Sequence, residues 1–285
     1  MKAQLIDGKK ISAEIKAEAA EEAAALKAQG IEPCLAVVLV GEDPASQTYV
    51  RNKEKACAAV GIKSLTYRLA EDTKEEELLR LIASLNADDS VNGILVQVPL
   101  PRQIDEKKAL LAIDPRKDVD CFHPMNVGHL HTGGKGFLPC TPAGIIELIK
   151  RSGHTIEGKN CVIIGRSNIV GKPVAMLLMQ ENGTVTICHS KTRNLAEICR
   201  GADIIVTATG KIGMVTADMV KEDAVIIDAG INRNEAGKLC GDVDYENVKE
   251  VVGAITPVPG GVGPMTIAML MKNCNTAAKL QNRIL

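Results

Sequence analysis

A tyrosine and a lysine in the stretch "QTYVRNKEKA", Gln47 to Ala56, are spaced so that they could do chemistry together. The stretch follows the apolar run "CLAVVLVGEDPAS", which predicts a buried strand that ends in a turn. Tyr49 and Lys53 would share one face of a helix. A positioned amine can serve as a general acid or base, and an aromatic ring can stack on a planar ligand. A solvated helix would carry the same spacing by chance, so the surrounding elements must decide.

The first half of the chain alternates strand and helix patterns. Short β-branched runs at "LAVVLV", "KSLTYRL" and "GILVQVPLP" predict strands, and "ASQTYVRNKEKACAAVG", "TKEEELLRLIASLN" and "DEKKALLAID" have helical periodicity. A second series follows in "NCVIIGRSNIVGKPVAMLLMQENG", "TVTICHSKTRNLAEICRGA", "DIIVTATG", "AVIIDAG" and "VVGAITPVPGGVGP", and a helix closes the pattern at "MTIAMLMKNCNTAAKL". This alternation is typical of parallel sheets covered by helices. We therefore expect two α/β domains with a cleft between them.

Bulk composition excludes several classes of function. The formal net charge is −1, aromatic residues make up 2% of the chain and tryptophan is absent, which argues against nucleic acid or a membrane surface as a partner. The nine cysteines form no CxxC pair and lie mostly in apolar surroundings. This pattern is typical of small core residues in a reducing compartment, so we expect a soluble cytoplasmic protein.

Residues 114 to 140 are rich in glycine, proline, histidine and aspartate, and they show little periodicity. A long structureless segment in a compact protein is usually a functional loop or a domain junction. A metal site in its "KDVDCFHP" stretch is disfavoured by the order and spacing of the candidate ligands. His129 and His131 are most simply loop residues. The candidate metal ligands are Asp118, Asp120, Cys121 and His123.

The segment "VIIGRSNIVGKP" predicts a nucleotide site. An apolar strand ends at Gly165, and a short loop leads to Gly171, which begins a helix whose N–H groups could face a phosphate. The loop does not match the pattern GxGxxG, because Ser167 stands at the second glycine position. An ordinary strand–helix turn is the alternative, and the place of the loop at the head of a second βαβ series favours nucleotide binding.

The next strand end favours NADP over NAD. NAD-specific folds commonly place a carboxylate there to accept from the ribose hydroxyls. The chain instead has "HSKTRN", which contains Ser190, Lys191 and Arg193, and Arg166 lies in the first loop. These side chains suit an additional 2′-phosphate. A basic solvated loop is the alternative.

Several segments have a familiar sequence: "EDPASQTYVRNKEKA", "GILVQVPLP", "PRKDVDCFHPMNVG", "CTPAGIIELI", "GRSNIVGKPVAMLL" and "TPVPGGVGPMTIAML". In this order, and over nearly the whole chain, they closely resemble the bifunctional methylenetetrahydrofolate dehydrogenase/methenyltetrahydrofolate cyclohydrolase family. The resemblance implies NADP-dependent oxidation of 5,10-methylenetetrahydrofolate to 5,10-methenyltetrahydrofolate, and then hydrolysis to 10-formyltetrahydrofolate. It also implies a homodimer that needs no metal.

The resemblance implies roles for individual residues. Lys53 would be essential to the hydrolytic step, either by handling water or by managing a proton on the folate nitrogens, and Gln97 would position it. Asp120 would bind the pterin ring, with Asp118 as its competitor for that role, and the ring of Tyr49 would stack on the folate. Further substrate contacts would come from Val96, Val98, Pro259, Gly260, Gly261, Val262 and Gly263. Cofactor contacts would come from Gly165, Arg166, Ser167, Ser190 and Ile231, the last beside Gly230 at a strand end.

The resemblance also implies the domain organisation. Residues 1–138, completed by a C-terminal helix over 266–285, would form a three-layer α/β catalytic domain that binds folate. Residues 139–265 would form a Rossmann-like NADP-binding domain with a parallel sheet, and the active site would lie in the cleft. One rival is a dehydrogenase that lacks the hydrolytic step or prefers NAD. Another is a non-catalytic NADP-sensing module, which would be indifferent to loss of Lys53.

Overall fold

The computed structural model describes residues 3–134 and 136–284, in which strands and helices alternate. The strands are β1 (Gln4–Leu5), β2 (Cys34–Val40), β3 (Lys63–Leu69), β4 (Gly93–Val96), β5 (Asn160–Ile164), β6 (Thr184–Cys188), β7 (Ile204–Thr207), β8 (Val225–Asp228), β9 (Asn232–Arg233), β10 (Leu239–Cys240) and β11 (Ala254–Ile255). The α-helices are α1 (Gly8–Ala28), α2 (Pro44–Val60), α3 (Glu75–Ala87), α4 (Glu106–Leu111), α5 (Pro124–Thr132), α6 (Cys140–Arg151), α7 (Gly171–Gln180), α8 (Leu195–Arg200), α9 (Tyr245–Val248) and α10 (Val262–Gln281).

The described chain forms two compact units. The first unit comprises Ala13–Cys140 and the residues from Ile267 onward, and the second comprises Thr141–Thr266 and the described residues up to Ser12. In the described ranges, no helix is both long enough and apolar enough to cross a bilayer.

The first unit is built on a parallel sheet in the strand order β3-β2-β4. The central strand β2 is buried along its whole length, as expected for a parallel strand with both faces covered. Apolar side chains of β2, β4 and α3 share one core cluster. The segment after α4 extends this sheet, because Ile94 forms a parallel bridge with Asp118. The stretch that contains Asp118 and Asp120 is thereby held beside the strand that leads to Gln97.

The second unit contains a parallel sheet in the order β1-β11-β8-β7-β5-β6. All its strands run the same way, so the segments that follow them lie at one edge. β1 belongs to this sheet because Gln4 and Leu5 pair with Ala254 and Ile255. The predicted boundary had placed residues 1–12 in the first domain. A strand of two residues has too few side chains to show an alternating pattern, so the sequence did not reveal it.

The structure also differs from the expectation of a structureless segment over residues 114–140. Helix α5 lies in it, and the histidines that were predicted as loop residues, His129 and His131, occupy its last turn. The side chain of His123 accepts a hydrogen bond from Met125 N, Pro124 takes the first helical turn, and Gly133 ends the helix with φ 69°. The helix is short and its hydrophobic periodicity is weak, so the residues at its two ends were the main sequence signals for it.

Asn92 ties the C-terminal helix to the sheet of the first unit. Its Oδ1 accepts from Cys34 N at 2.9 Å, and its Nδ2 donates to Gln281 Oε1 at 3.0 Å. Gln281 Nε2 in turn donates to Asn92 O at 2.9 Å. The residue is 4% exposed, so water cannot readily replace these partners.

We expect Asn92→Ala to lower the free energy of unfolding by about 1 to 3 kcal/mol, because it leaves the buried Cys34 N–H without its acceptor. Urea denaturation would measure the change. Asn282→Ala removes an exposed side chain that donates to Ala278 O, and we expect this control to change stability by less than about 0.5 kcal/mol. Equal losses in both variants would contradict the assignment.

Candidate functional site

Helix α2 carries Lys53 on its buried stripe. The helix begins after Asp43, whose side chain accepts from Ser46 N at 2.7 Å, and it ends at Gly61 with φ 81°. Ser46, Val50, Lys53, Cys57 and Val60 are buried and recur with the spacing of one helix face. A lysine in the place of an apolar residue must find a polar partner, because an isolated buried amine is costly. This position distinguishes Lys53 from Lys55 of the same helix, which is exposed.

Gln97 is the partner that the structure gives to Lys53. Lys53 Nζ donates to Gln97 Oε1 at 3.0 Å, and Lys53 is only 8% exposed. Gln97 Nε2 donates to Val98 O at 2.7 Å, which fixes the amide so that its oxygen faces the lysine. Gln97 directly follows β4, at the carboxyl end of the sheet where α/β folds bind ligands. The amine is therefore held in one place by a neutral acceptor.

Asp120 brings a carboxyl group close to this pair. Burial raises its pKa most, the charges of Lys53 and Asp118 act in opposite directions on it, and a hydrogen bond with Cys140 lowers it. The net result is an Asp120 pKa above the ordinary value for aspartate. The residue as a whole stays partly exposed, so a ligand can reach it. A lysine, a glutamine and a carboxyl group thus meet in the first unit.

Asp118, the competitor of Asp120, has a structural position. Its Oδ2 accepts from His123 N and from Asn126 Nδ2, both at 2.8 Å, and the residue is buried. These bonds shape the turn between Asp120 and α5. The preceding residue, Lys117, is also buried, and its Nζ donates to the carbonyls of Leu85 and Asp88. Among the described residues, no group of His, Cys, Asp and Glu side chains has the arrangement of a metal site.

Three more predicted substrate residues lie near these groups in the chain. Tyr49 stands one turn before Lys53 and is 43% exposed, so its ring is free to cover a planar ligand. Val96 is the last residue of β4, and Val98 supplies the carbonyl that fixes Gln97. Two residues that the sequence analysis did not select are Cys140 and Asn273. Asn273 Nδ2 donates to Val119 O at 2.7 Å and to Leu138 O at 2.8 Å, which fixes the backbone beside Asp120.

In the second unit, the turn after β5 has room only for glycine at two positions. Gly165 has φ 136°, and a Cβ there would lie 2.5 Å from Ala208 O. A Cβ on Gly171 would lie 2.4 Å from Gly165 O. A cavity of about 430 Å³ opens at this turn. It is lined by Ile164, Gly165, Arg166, His189, Ser190, Thr192, Leu195, Ala208, Thr209, Lys211 and Met214.

The helix end at this turn differs from the expected array of free N–H groups. Ser167 Oγ accepts from Val170 N and Gly171 N, both at 3.2 Å, and Lys172 N donates to Ser167 O. Ser167 therefore accepts from the first N–H groups of α7, and Val170 is the N-cap residue of that helix. What the turn offers to a nucleotide is a close backbone approach and the exposed side chain of Arg166.

The segments after the other strands lie at the same edge of the sheet. Ser190, Lys191 and Arg193 follow β6 and are exposed, which leaves the basic loop accessible. Ile231 follows β8 and is 60% exposed although apolar, while the preceding Gly230 is buried. These residues and the turn after β5 thus surround one end of the sheet.

The Pro/Gly loop "TPVPGGVGP" also begins at that edge, directly after β11. Gly260 has φ 109°, and a Cβ on Gly261 would lie 2.6 Å from Pro257 O. Gly261 also packs against Gly8 at the start of α1, where a Cβ on Gly8 would lie 1.9 Å from Gly261 O. Pro259 and Gly263 are exposed, whereas Val262 is buried where α10 begins. The loop therefore has a fixed backbone with part of its surface free.

Comparison with known proteins agrees with this arrangement. Residues 6–120 match the catalytic domain, and residues 139–282 the NAD(P)-binding domain, of the tetrahydrofolate dehydrogenase/cyclohydrolase family. The bifunctional protein FolD of Agathobacter rectalis is 61% identical over 97% of this chain and 99% of its own length.

Solved structures agree as well. The FolD crystal structure from Campylobacter jejuni has a TM-score of 0.95 and 54% identity, covering 99% of each chain. The dehydrogenase-cyclohydrolase of Trypanosoma brucei, solved with NADP and an inhibitor, has a TM-score of 0.93 and 40% identity, also covering 99% of each chain.

These findings confirm the predicted two-domain α/β fold with a parallel sheet, the two enzymatic activities and NADP as the cofactor. The roles of the individual site residues stay predictions. The chain belongs to the tetrahydrofolate dehydrogenase/cyclohydrolase family.

Proposed function

We propose that Lys53, Gln97 and Asp120 form the site at which this enzyme binds folate and hydrolyses 5,10-methenyltetrahydrofolate to 10-formyltetrahydrofolate. The observation that carries the proposal is the hydrogen bond of 3.0 Å between Lys53 Nζ and Gln97 Oε1, on a helix face that is otherwise apolar or small. A stability-driven sequence would place an apolar residue at this position. The buried amine therefore has a use that packing does not explain.

Asp120 is proposed to hold the pterin ring. A carboxylate can accept two near-parallel hydrogen bonds from an amino group and an adjacent ring N–H. The bridge that keeps the Asp118 segment beside β4 brings Asp120 to the end of the sheet where Gln97 directly follows that strand. The partly exposed ring of Tyr49 is proposed to cover the planar part of the substrate, and Val96 and Val98 to line its approach.

In the hydrolytic step, water adds to the cationic bridge carbon, one carbon–nitrogen bond opens, and one proton leaves. Lys53 is proposed to orient the water or to manage the proton on the folate nitrogens. Gln97 keeps the amine in position because its own amide is anchored on Val98 O. Since Gln97 is a neutral acceptor, it orients the lysine without an ion pair that would compete with the substrate.

Residues at the edge of the second sheet are proposed to bind the cofactor. NADP, when bound, accepts the hydride from the one-carbon bridge of 5,10-methylenetetrahydrofolate. Gly165 and Gly171 let the turn after β5 pack tightly on its own backbone, where a Cβ would collide with Ala208 O or Gly165 O. A tight glycine turn of this kind is what a dinucleotide needs in order to approach the backbone closely. Arg166 and Ser190 are proposed to contact the 2′-phosphate, Ser167 to hold the loop, and Ile231 and the loop Pro259–Gly263 to border the reacting rings.

The enzyme is also proposed to work as a cytoplasmic homodimer. Its nine cysteines, all within the described ranges, are free thiols, which suits a reducing compartment. Strand β6 is at the edge of its sheet, and Ile187 on it is 37% exposed. Met179 of the adjacent helix α7 is 51% exposed. An open edge strand with apolar neighbours supports association of two copies through this surface.

We expect Lys53→Met to abolish hydrolysis of methenyltetrahydrofolate, with a loss of about 100-fold or more, because the buried amine has no substitute. NADPH formation and methenyltetrahydrofolate are followed separately by absorbance, starting from methylenetetrahydrofolate and NADP. The matched control is Lys55→Met on the exposed side of the same helix, which should behave as wild type. Equal accumulation of methenyltetrahydrofolate in the Lys53 variant and wild type would overturn the assignment. Absence of NADPH formation in wild type would favour a sensing module.

Asp120 gives folate binding a pH dependence. Its pKa is raised, so on acidification it takes up its proton at a higher pH than an ordinary aspartate, and it then loses one acceptor. We expect affinity for a folate analogue, measured by calorimetry between about pH 5 and 8, to fall as the pH falls. The Asp120→Asn variant should bind the analogue weakly, and its affinity should not depend on pH. This comparison distinguishes titration of Asp120 from titration of the analogue itself. An identical pH profile in both proteins would contradict the role of Asp120.

We expect Ile187→Glu to shift the protein from dimer to monomer in sedimentation velocity, because the charge would be buried against a second copy. Ile284→Glu is the control, since Ile284 is similarly exposed but lies in the first unit. A wild-type monomer, or a dimer unaffected by Ile187→Glu, would rule out the β6 edge as the interface.

A further inference from the structure

A buried carboxylate connects the loops that border the nucleotide cavity. Asp242 follows the β9–β10 hairpin and is 0% exposed. In the described part of the chain its side chain accepts six hydrogen bonds. The donors are Thr207 Oγ1 (3.0 Å), Thr209 N (2.6 Å), Thr209 Oγ1 (2.8 Å), Gly210 N (3.3 Å), Lys211 N (3.0 Å) and Asn232 Nδ2 (2.9 Å).

These donors come from two separate segments, the end of β7 with the loop that follows it and the start of β9. Thr209 and Lys211 lie after β7, and both line the 430 Å³ cavity. Asn232 lies after β8, directly beside Ile231, and its Nδ2 also donates to Gly241 O at 3.0 Å. One carboxylate therefore fixes the backbone of the first loop at consecutive N–H groups and anchors the second loop through a side chain.

The packing around Asp242 leaves no space for a side chain at two neighbouring glycines. A Cβ on Gly230 would lie 2.2 Å from Asp242 Oδ1, and a Cβ on Gly241 would lie 1.9 Å from Asp228 Oδ2. Asp228, also buried, accepts from the backbone N–H groups of Gly230, Asp242 and Val243 at 2.9 to 3.0 Å. Gly230 and Gly241 thus make room for the two carboxylates, and the carboxylate of Asp228 binds the backbone N–H of Asp242.

The donor set requires an ionised carboxylate. All six groups that face Asp242 give a proton, so neither a protonated acid nor an amide could accept from every one of them. Burial would raise the pKa of Asp242, but the hydrogen bonds from Thr209, Asn232 and Thr207 lower it below the ordinary value. For Asp228, burial raises the pKa against its backbone hydrogen bonds, and the charge of Asp242 adds to the rise.

We propose that Asp242 is a positioning residue for the dinucleotide. Its carboxylate holds the loops after β7 and β8 in the form that receives the cofactor, without itself lining the cavity. A fixed loop loses no conformational freedom when the ligand binds, and such preorganisation raises affinity. The inference rests on the proposed nucleotide site at this edge, and it adds a residue that is not among the predicted cofactor contacts.

We expect Asp242→Asn to raise the Kd for NADP and the KM for NADP by about tenfold or more, because the amide turns an N–H toward groups that are themselves donors. The kcat at saturating NADP should stay within about twofold of wild type, since bound cofactor restores the loops. Hydrolysis of methenyltetrahydrofolate measured without NADP should also be unchanged. Calorimetry with NADP and steady-state kinetics give these values.

The matched control is Asp203→Asn. Asp203 accepts from Asn160 N at 2.7 Å and from Lys221 Nζ at 2.5 Å, and it lies at the amino ends of the strands beside a different cavity of about 640 Å³. We expect this variant to lose thermal stability but to keep the wild-type Kd for NADP. A general weakening of the second unit would raise the Kd in both variants and would overturn the inference.

Asn232→Ala decides the matter if Asp242→Asn fails to fold. It removes one donor and leaves the carboxylate in place, so the KM for NADP should rise by about threefold with hydrolysis unchanged. A wild-type KM in this variant, or a wild-type Kd in folded Asp242→Asn, would overturn the inference alone. If wild-type protein bound neither NADP nor NAD, the proposed nucleotide site would fall and the inference with it.

Discussion

The common direction of the strands is the constraint on which both units depend. In each parallel sheet, every strand ends at the same edge, so residues far apart in sequence are brought together there. Gln97 reaches the edge of the first sheet directly after β4. Gly165, Ser190 and the Pro/Gly loop reach the edge of the second sheet after three different strands. The proposed sites need few residues because the sheets bring those residues together.

The two units differ in how a buried polar group is satisfied. In the first unit, Lys53 finds one neutral acceptor, so its amine stays available to a ligand. In the second, Asp242 is surrounded by donors and leaves no acceptor capacity for a ligand. The contrast separates Lys53, the proposed reactive group, from Asp242, whose side chain is fully engaged within the protein. Burial alone marks both, and the number of satisfied partners distinguishes them.

Much of this arrangement could be predicted from the sequence. The β-branched runs predicted the main strands. Lys53, Gln97 and Gly165 could be selected from their sequence context together with the family resemblance. Short elements were not predicted, because β1 and both strands of the β9–β10 hairpin have only two residues each. Helix α5 was hidden in a segment rich in glycine and histidine.

The hydrogen bonds of Asp242 could not be predicted either, because half of its donors are backbone N–H groups of residues about 30 positions away, whose placement depends on tertiary packing. Likewise, the hydrogen bonds from the start of α7 to Ser167 could not be predicted from the pattern of glycines, because they depend on the path of the loop.

The pairing of β1 with β11 also affects how the protein can be made and divided. The second sheet uses residues from both ends of the chain, and Gln4 and Ala254 are 250 positions apart. During synthesis this sheet cannot gain its outer strand until most of the protein has left the ribosome. A separately expressed piece beginning near residue 139 would leave Ala254 and Ile255 as an open edge, available to pair with another chain. The nucleotide-binding unit is therefore compact in space but is formed by two separate parts of the sequence.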